Sequence, residues 1–376
     1  MGRIRVAHCI ETIASGGVER CRLMLAQGLD PGRYEQLIIC TQALDDLPAK
    51  FQAAGCAVHE IGVFRRIWDV ERYRRAVAVL KSFRPHIVHG GVYEGVATAA
   101  VAGRLARVPV IIGEETSDPD GRRPQGHMLF RALAGLTDHM VAVSPGVGRY
   151  LEQRLHLPSG KITTINNGAV EQPHATAAEL DAIRATFRLS QNDRIIGSVG
   201  RLLDPHKRMS DLIRALPLLL RRFPDAKLLL VGDGPDRGML EALAAELGVA
   251  DRVGFAGYQP RTRPFFELMD VFALASASEA FGLVLVEAMF ASLPVVATRV
   301  GGIPDVVSEG ETGLLVPPRR PDELAQAISE VLADPVRSAA MGEAGQRRAR
   351  SHFTADRYVA DVDALYQRLL RQRGVA

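Results

Sequence analysis

Little in this sequence supports a disulfide scaffold, a zinc domain, a membrane span or a nucleic-acid binder. Its four cysteines, Cys9, Cys21, Cys40 and Cys56, all fall in the first sixty residues and form no CxxC pair. That pattern points to reduced, mostly buried thiols rather than to a metal cluster. No stretch approaches the roughly 18 uninterrupted apolar residues that a spanning helix needs. The opening MGRIRVAHCIE meets His8 and Glu11 before a signal-peptide core can form. Charge of one sign is scarce as well: the net charge is +3 and the pI near 8.7, too mild for the clustered basic face that nucleic acid demands. Weak attraction to anionic ligands or anionic lipid stays open. Short-period repeats and low-complexity tracts are missing. The expectation is a cytoplasmic protein that neither spans a membrane nor binds nucleic acid.

What is present is an ordinary globular composition, 47% hydrophobic and 24% charged, so the chain can bury real cores. Its 376 residues exceed what one core comfortably holds. At about 150 residues per domain, two domains with a cleft between them are expected. Residues 3–10, 35–40, 57–61, 86–89, 108–112 and 140–143 read as strands, with helical spacing over 18–29, 48–54, 70–83 and 95–107. This alternation predicts an α/β chain on a parallel sheet. The rhythm breaks over 166–192, around Asn166-Asn167-Gly168 and Pro173, where a linker is expected. A second set of strands follows at 195–199, 227–231, 252–255, 271–275, 294–298 and 313–316. The expected domains are therefore 1–175 and 190–350, with a terminal segment, 351–376, whose Tyr358, Val362, Leu365 and Leu369 have helical spacing.

The most informative stretch is Ser276–Met289, SASEAFGLVLVEAM. Gly282 follows Glu279 in a loop after a strand, and helical patterning starts near Leu283. Unpaired N–H groups at a glycine-opened helix start, with the helix dipole behind them, suit a phosphate. Glu287 lies about 7.5 Å further along the axis, so two carboxylates flank that anion site and can accept hydrogen bonds from hydroxyls. They read equally as a solvated helix residue and a dipole partner. Upstream, Gly200-Arg201-Leu202 ends the first strand of the second half and Lys207 follows six residues after Arg201. A guanidinium fork and a mobile ammonium can neutralise a diphosphate without a metal; taken alone they also read as two solvated loop cations. Both segments fall at the carboxyl ends of predicted strands, where open α/β sheets bind ligands.

Glu279-x7-Glu287, the GRL…K segment at 200–207, LLLVGDGP at 228–235, GGIPD at 301–305 and ETGLLVPP at 311–318 together resemble the retaining glycosyltransferases of family 4, in order and spacing across nearly the whole chain. The resemblance implies a GT-B fold: two Rossmann-like, doubly wound domains facing across a cleft. A nucleoside diphosphate sugar would be held mainly by the second domain and an acceptor mainly by the first, with the last helix crossing back to the first domain. Residue by residue, it puts Arg201 and Lys207 on the donor diphosphate, Glu287 on the ribose hydroxyls and Glu279 on the transferred sugar. It places the backbone amides of Phe281, Gly282 and Leu283 near sugar and phosphate, and Tyr258 near the base. Gly16 and Gly17 match a glycine loop that closes over the phosphates, where backbone must approach closely. The implied donor is a UDP- or GDP-sugar, with no metal and no further cofactor. The implied acceptor is a glycan or lipid-linked glycan in polysaccharide, lipopolysaccharide or glycolipid assembly. Closure of the domains on donor binding is expected.

One position departs from the family pattern. Glu115, in Ile112-Gly113-Glu114-Glu115-Thr116-Ser117, stands where many members carry a His near the anomeric carbon. A carboxylate there can accept the acceptor hydroxyl, stabilise positive charge, alter specificity, or serve as a buried structural group. His86 and His89 are open between core histidines and acceptor-side contacts. Gly232-Asp233-Gly234 invites a dinucleotide reading, but Gly238 comes one residue late for GxGxxG and the position along the chain is wrong. Asp118-Pro119-Asp120 and Asp361-Val362-Asp363 match a metal-binding DxD by spacing alone. The rival functions are a non-catalytic nucleotide- or glycan-binding relative and a nucleotide-sugar epimerase on the same fold. The intact Arg201, Lys207, Glu279 and Glu287 set argues against the first, and turnover without acceptor would mark the second. Finally, Arg65, Arg66, Trp68, Arg72, Tyr73, Arg74, Arg75 and Lys81, with Arg122 and Arg123 in a separate loop, form a basic face. It either rests peripherally on anionic lipid at the inner face of a membrane or is simply solvated.

Overall fold

The computed structural model describes residues 2–13, 16–44, 47–64, 68–117 and 122–375; Arg65, Arg66 and the DxD at 118–120 lie outside the described residues. The chain divides into two compact units, Met1–Gly168 with Ala355–Ala376, and Ala169–Thr354. The first carries strands β1 (Ile4–Cys9), β2 (Tyr34–Cys40), β3 (Ala57–Glu60), β4 (Ile87–Gly91), β5 (Val110–Glu115), β6 (His139–Ala142) and β7 (Ile162–Thr164), ordered β3-β2-β1-β4-β5-β6-β7. The second carries β8 (Arg194–Val199), β9 (Ala226–Val231), β10 (Val253–Phe255), β11 (Val271–Leu274), β12 (Val295–Thr298) and β13 (Gly313–Val316), ordered β10-β9-β8-β11-β12-β13. All their strand pairs are parallel. In each unit the chain starts at mid-sheet, builds one edge, then returns to build the other, which is the doubly wound Rossmann arrangement.

Strands covered on both faces must be apolar throughout, and Leu228–Val231, Val271–Leu274 and Val295–Ala297 are almost wholly buried. The helices supply one apolar stripe each. On helix Met209–Leu220, Leu212, Ile213, Leu216 and Leu219 recur at helical spacing and join the core of the second unit. The last helix, Ala355–Gln372, buries Tyr358, Val362, Leu365, Tyr366 and Leu369 and belongs to the first unit.

The boundary between units falls at 168/169, ahead of the expected residue 175. The reason lies in hydrogen bonding: Ala169 donates its N–H to the Phe353 carbonyl (2.8 Å), and Ala175 donates its N–H to Glu267 (3.0 Å), so the segment after Gly168 is stitched into the second unit. Other differences concern element ends. The strand expected to stop at Ile112 runs to Glu115, so Glu115 is not a loop residue. Lys207 closes a short helical turn, Asp204–Lys207, where a loop was expected. The helix expected from Gly95 begins at Val92. Among the described residues no helix is long and apolar enough to cross a membrane. The four cysteines are free and buried.

Candidate functional site

In the second unit the chain order reverses between β8 and β11, and the loops leaving these two neighbouring strands carry the expected anion-binding groups. They are bound to each other. Ala277 donates its N–H to the His206 carbonyl at 2.8 Å, and Lys207 Nζ lies 2.5 Å from Glu279 Oε2. Glu279's carbonyl in turn accepts from Gly302 N–H at 2.9 Å, which is what the GGIPD run contributes. Arg201 is exposed one residue beyond Gly200. Gly282 caps helix Leu283–Phe290 with φ +90°, a left-handed conformation that favours glycine, and a Cβ there would sit 2.8 Å from Leu285 Cδ1. Arg201, Lys207 and the glycine-capped helix start thus share the carboxyl edge of one sheet.

The Gly232-Asp233-Gly234 run supports this edge from below. A Cβ at Gly232 would lie 2.0 Å from the Gly200 carbonyl oxygen and one at Gly234 2.4 Å from that of Leu202. The glycines therefore let the β9 loop press against the loop bearing Arg201, and Leu202 donates its N–H to the Asp233 carbonyl at 3.0 Å. Buried Asp204 accepts from Ser210 N–H and Oγ at 2.8 and 2.7 Å and so anchors the turn that presents Lys207.

Glu287 is half-buried on the same helix and accepts from the Thr262 hydroxyl at 3.3 Å. Tyr258 is 55% exposed beyond Gly257 and free to meet a flat ligand. Phe281 is buried edge-on against Phe353, with ring centroids 5.6 Å apart, so its backbone rather than its side chain is what the site can use. Leu283 is the first residue of the helix. A cavity of about 540 Å³ lies at the opposite, amino edge of this sheet. Its buried Arg263 is already engaged by Glu267, the Phe290 carbonyl and His174.

In the first unit, order reverses between β1 and β4. Gly16 and Gly17 stand there as the cap and first residue of helix Gly17–Gly28. Val92, directly after β4, has φ +64°, a costly conformation for a β-branched residue. Nothing in its sequence signals this. Glu94, in the next turn, has its pKa raised by burial and by Glu11.

Glu114 and Glu115, adjacent on β5, turn to opposite sides. Glu115 is 2% exposed, and both its oxygens are taken: Oε1 accepts from Ser117 N–H (3.0 Å) and Oγ (2.5 Å), Oε2 from Arg122 Nη1 (2.9 Å). Arg122 is further held by the Tyr150 hydroxyl (3.1 Å) and lies 4.5 Å over the Phe130 ring. Glu114 joins a buried set that sequence reasoning missed: its Oε2 lies 3.1 Å from both Arg22 Nη2 and His89 Nε2, and His89 Nδ1 is 2.8 Å from the Tyr366 hydroxyl on the last helix. Burial and Arg22 push the His89 pKa down to about 4, which keeps the ring neutral. His89 is thus a core residue of the first unit. His86 accepts the Arg5 N–H at 2.9 Å. Of the second DxD, Asp361 pairs with Arg357 and Asp363 with Tyr34 and Arg33.

Two doubly wound parallel sheets in one chain, the second bearing Arg201, Lys207 and a glycine-capped helix start at its reversal point, define the GT-B class of glycosyltransferase fold. Anabaena HepE, solved in complex with UDP and glucose, has this fold, with a TM-score of 0.84 over 97% of this chain and 100% of that one at 20% identity. Residues 180–348 match the family model described as glycosyl transferases group 1, and residues 16–168 match the glycosyl transferase 4-like domain. The chain is therefore a GT-B protein of the glycosyltransferase family 4 type. Among curated relatives, the N-acetyl-alpha-D-glucosaminyl L-malate synthase of Bacillus anthracis is 30% identical over 67% of this chain and 65% of its own length. The GDP-mannose-dependent alpha-(1-6)-phosphatidylinositol monomannoside mannosyltransferase of Mycolicibacterium smegmatis is 39% identical over 53% of this chain and 52% of its own. The chain spans less than two thirds of the length of either relative.

Proposed function

We propose that the protein transfers a sugar from a nucleoside diphosphate sugar to an acceptor hydroxyl, with retention of anomeric configuration and without a metal. The observation that carries this reading is the convergence of Arg201, Lys207 and the Gly282 helix start at the β8/β11 reversal point. As the anomeric C–O bond to the diphosphate breaks, negative charge grows on the leaving group. These preorganised donors then stabilise the transition state more than the ground state. The acceptor oxygen forms the new bond to the anomeric carbon on the same face, and its proton passes to the departing diphosphate oxygen. The UDP-bound fold relative and the GDP-mannose-dependent relative support UDP- or GDP-sugars as donors. A glycan or lipid-linked acceptor fits the same company.

Titration calorimetry with UDP, GDP and ADP, with NAD as control, tests the donor site. One diphosphate is expected to bind, and Lys207→Ala and Arg201→Ala to weaken it; binding of NAD alone sinks the reading. Product anomer analysis by NMR tests retention. For membrane contact, the support comes from Trp68 and Val70, 67% and 77% exposed at the start of helix Val70–Phe83. The helix cations contribute less, because Arg74 and Arg75 both pair with Glu71. Co-sedimentation with anionic vesicles that survives moderate salt and falls in Trp68→Ala is the expected result.

A further inference from the structure

Lys207 stands at the end of the short turn Asp204–Lys207, which has little of its own to hold it. The residue before it, Leu203, has an apolar side chain and makes no capping bond. Three backbone N–H groups of the turn need acceptors, because Pro205 has none to offer. Those of His206 and Lys207 both donate to the Leu203 carbonyl, at 3.1 and 2.9 Å. That of Asp204 donates to Asp236 Oδ2 at 2.7 Å, across 32 residues of chain. Asp236 also donates its own N–H to the Leu202 carbonyl at 3.2 Å, so it grips the chain on both sides of Leu203. This carboxyl is diverted from its ordinary use. Asp236 is the N-cap of helix Arg237–Glu246, where an aspartate side chain usually accepts from an N–H two or three residues on, yet it makes no such bond to its own helix. The helix forgoes its cap, and the turn that ends at Lys207 acquires one.

We infer that Asp236 is a positioning residue for Lys207: it caps the turn from outside and so fixes where the ammonium stands at the candidate diphosphate site. A cation held in place before the ligand arrives stabilises its charge without reorganisation. The inference rests on the donor-site reading above. It also separates the two cations, since Asp236 holds the turn that ends at Lys207, whereas Arg201 precedes the segment that Asp236 grips.

The test is calorimetry on the full chain with UDP and GDP, using whichever binds the wild type more tightly, with circular dichroism and urea midpoints to confirm folding. Asp236→Ala is expected to weaken that diphosphate about fivefold, and Asp236→Asn, which retains a side-chain oxygen acceptor, to stay within about twofold of wild type. The decisive readout is coupling to Lys207. Asp236→Ala added to Lys207→Ala, titrated at millimolar nucleotide, should weaken binding by less than about twofold further, while the same change added to Arg201→Ala should again cost about fivefold. A role in stability alone lowers the urea midpoint and leaves affinity at the wild-type value; that result in folded Asp236→Ala would overturn the inference. Equal losses in the Lys207→Ala and Arg201→Ala backgrounds would overturn it too, as would an Asp236→Asn protein no better than Asp236→Ala. If Asp236→Ala does not fold, Asp236→Ser decides by the same measures, because serine can cap helix Arg237–Glu246 while its oxygen lies one bond nearer the backbone, short of Asp204. Unchanged affinity in both Arg201→Ala and Lys207→Ala removes the donor-site reading and this inference with it, whereas wild-type affinity in Asp236→Ala alone leaves that reading standing.

Discussion

Lys207 meets Glu279 at 2.5 Å in the free protein and, on the proposed function, a departing diphosphate during turnover. A cation already paired must be shared, so Glu279 tempers its pull on the ground state. Glu279→Gln is therefore expected to bind the preferred diphosphate at least as tightly as wild type while its kcat falls, a split that titration and initial rates read separately. Lys207→Ala and Arg201→Ala should each lose about 10²–10³ in rate with circular dichroism unchanged. Histidines supply the pH dependence. Burial pushes His89 and His139 down to about 4 from the ordinary 6.5, and His8 well below it. The unfolded chain thus binds more protons between pH 6.5 and 4, so stability is full above that window and falls as pH drops through it. Urea midpoints at pH 7, 6 and 5 should decline in that order, and His139→Gln should flatten the decline. Sequence spacing marks Arg201, Lys207, Glu279 and Glu287 because phosphate chemistry needs those groups near a helix start. It does not reveal that Glu115 has both oxygens engaged, since Ser117 and Arg122 reach it only through the turn of the chain.

At the level of elements, close approach of backbones decides what each glycine tolerates. Helix Val92–Ala106 lies against β1 at Gly95, where a Cβ would come 2.3 Å from the Cys9 carbonyl oxygen. Gly95→Ala should cost about 1–3 kcal/mol from overpacking, despite alanine's better helix propensity. Gly135, in helix Pro124–Leu136 with nothing within 4 Å of its Cβ position, should accept alanine at no cost or gain up to about 1 kcal/mol. Denaturant titration of the pair checks both signs. The last helix is tied to the first unit by the Tyr366–His89 bond and by Gln367 donating to the Tyr34 hydroxyl at 2.6 Å. Tyr366→Phe leaves buried His89 Nδ1 without its hydroxyl partner, at an expected loss of about 1–3 kcal/mol. Strand and helix alternation was readable because period-2 and period-3.6 patterns are local. Element ends were less so: β5 continues through two glutamates because buried partners, not apolarity, compensate them.

For the whole molecule, ligand linkage offers the most direct check. A diphosphate at a hundred times its Kd should stabilise the protein by about 2.7 kcal/mol, visible as a rise in thermal midpoint that is absent in Lys207→Ala. Chelation with EDTA should leave turnover unchanged if the two cations alone carry the diphosphate charge. A loss of activity restored by a divalent cation would refute metal independence.

By itself the sequence determined the α/β class, the presence of two strand-and-helix sets and the residues available for a phosphate, because composition, periodicity and glycine placement act over a few neighbours. Only the tertiary structure decided which of those groups meet. Lys207 and Glu279 are 72 residues apart, Gln172 and Thr262 90, and His89 and Tyr366 277. Each of those contacts lies within one unit and depends on its strand order and on where the chain enters and leaves it, and no local pattern encodes the energy of a bond that forms only after that unit's sheet has assembled.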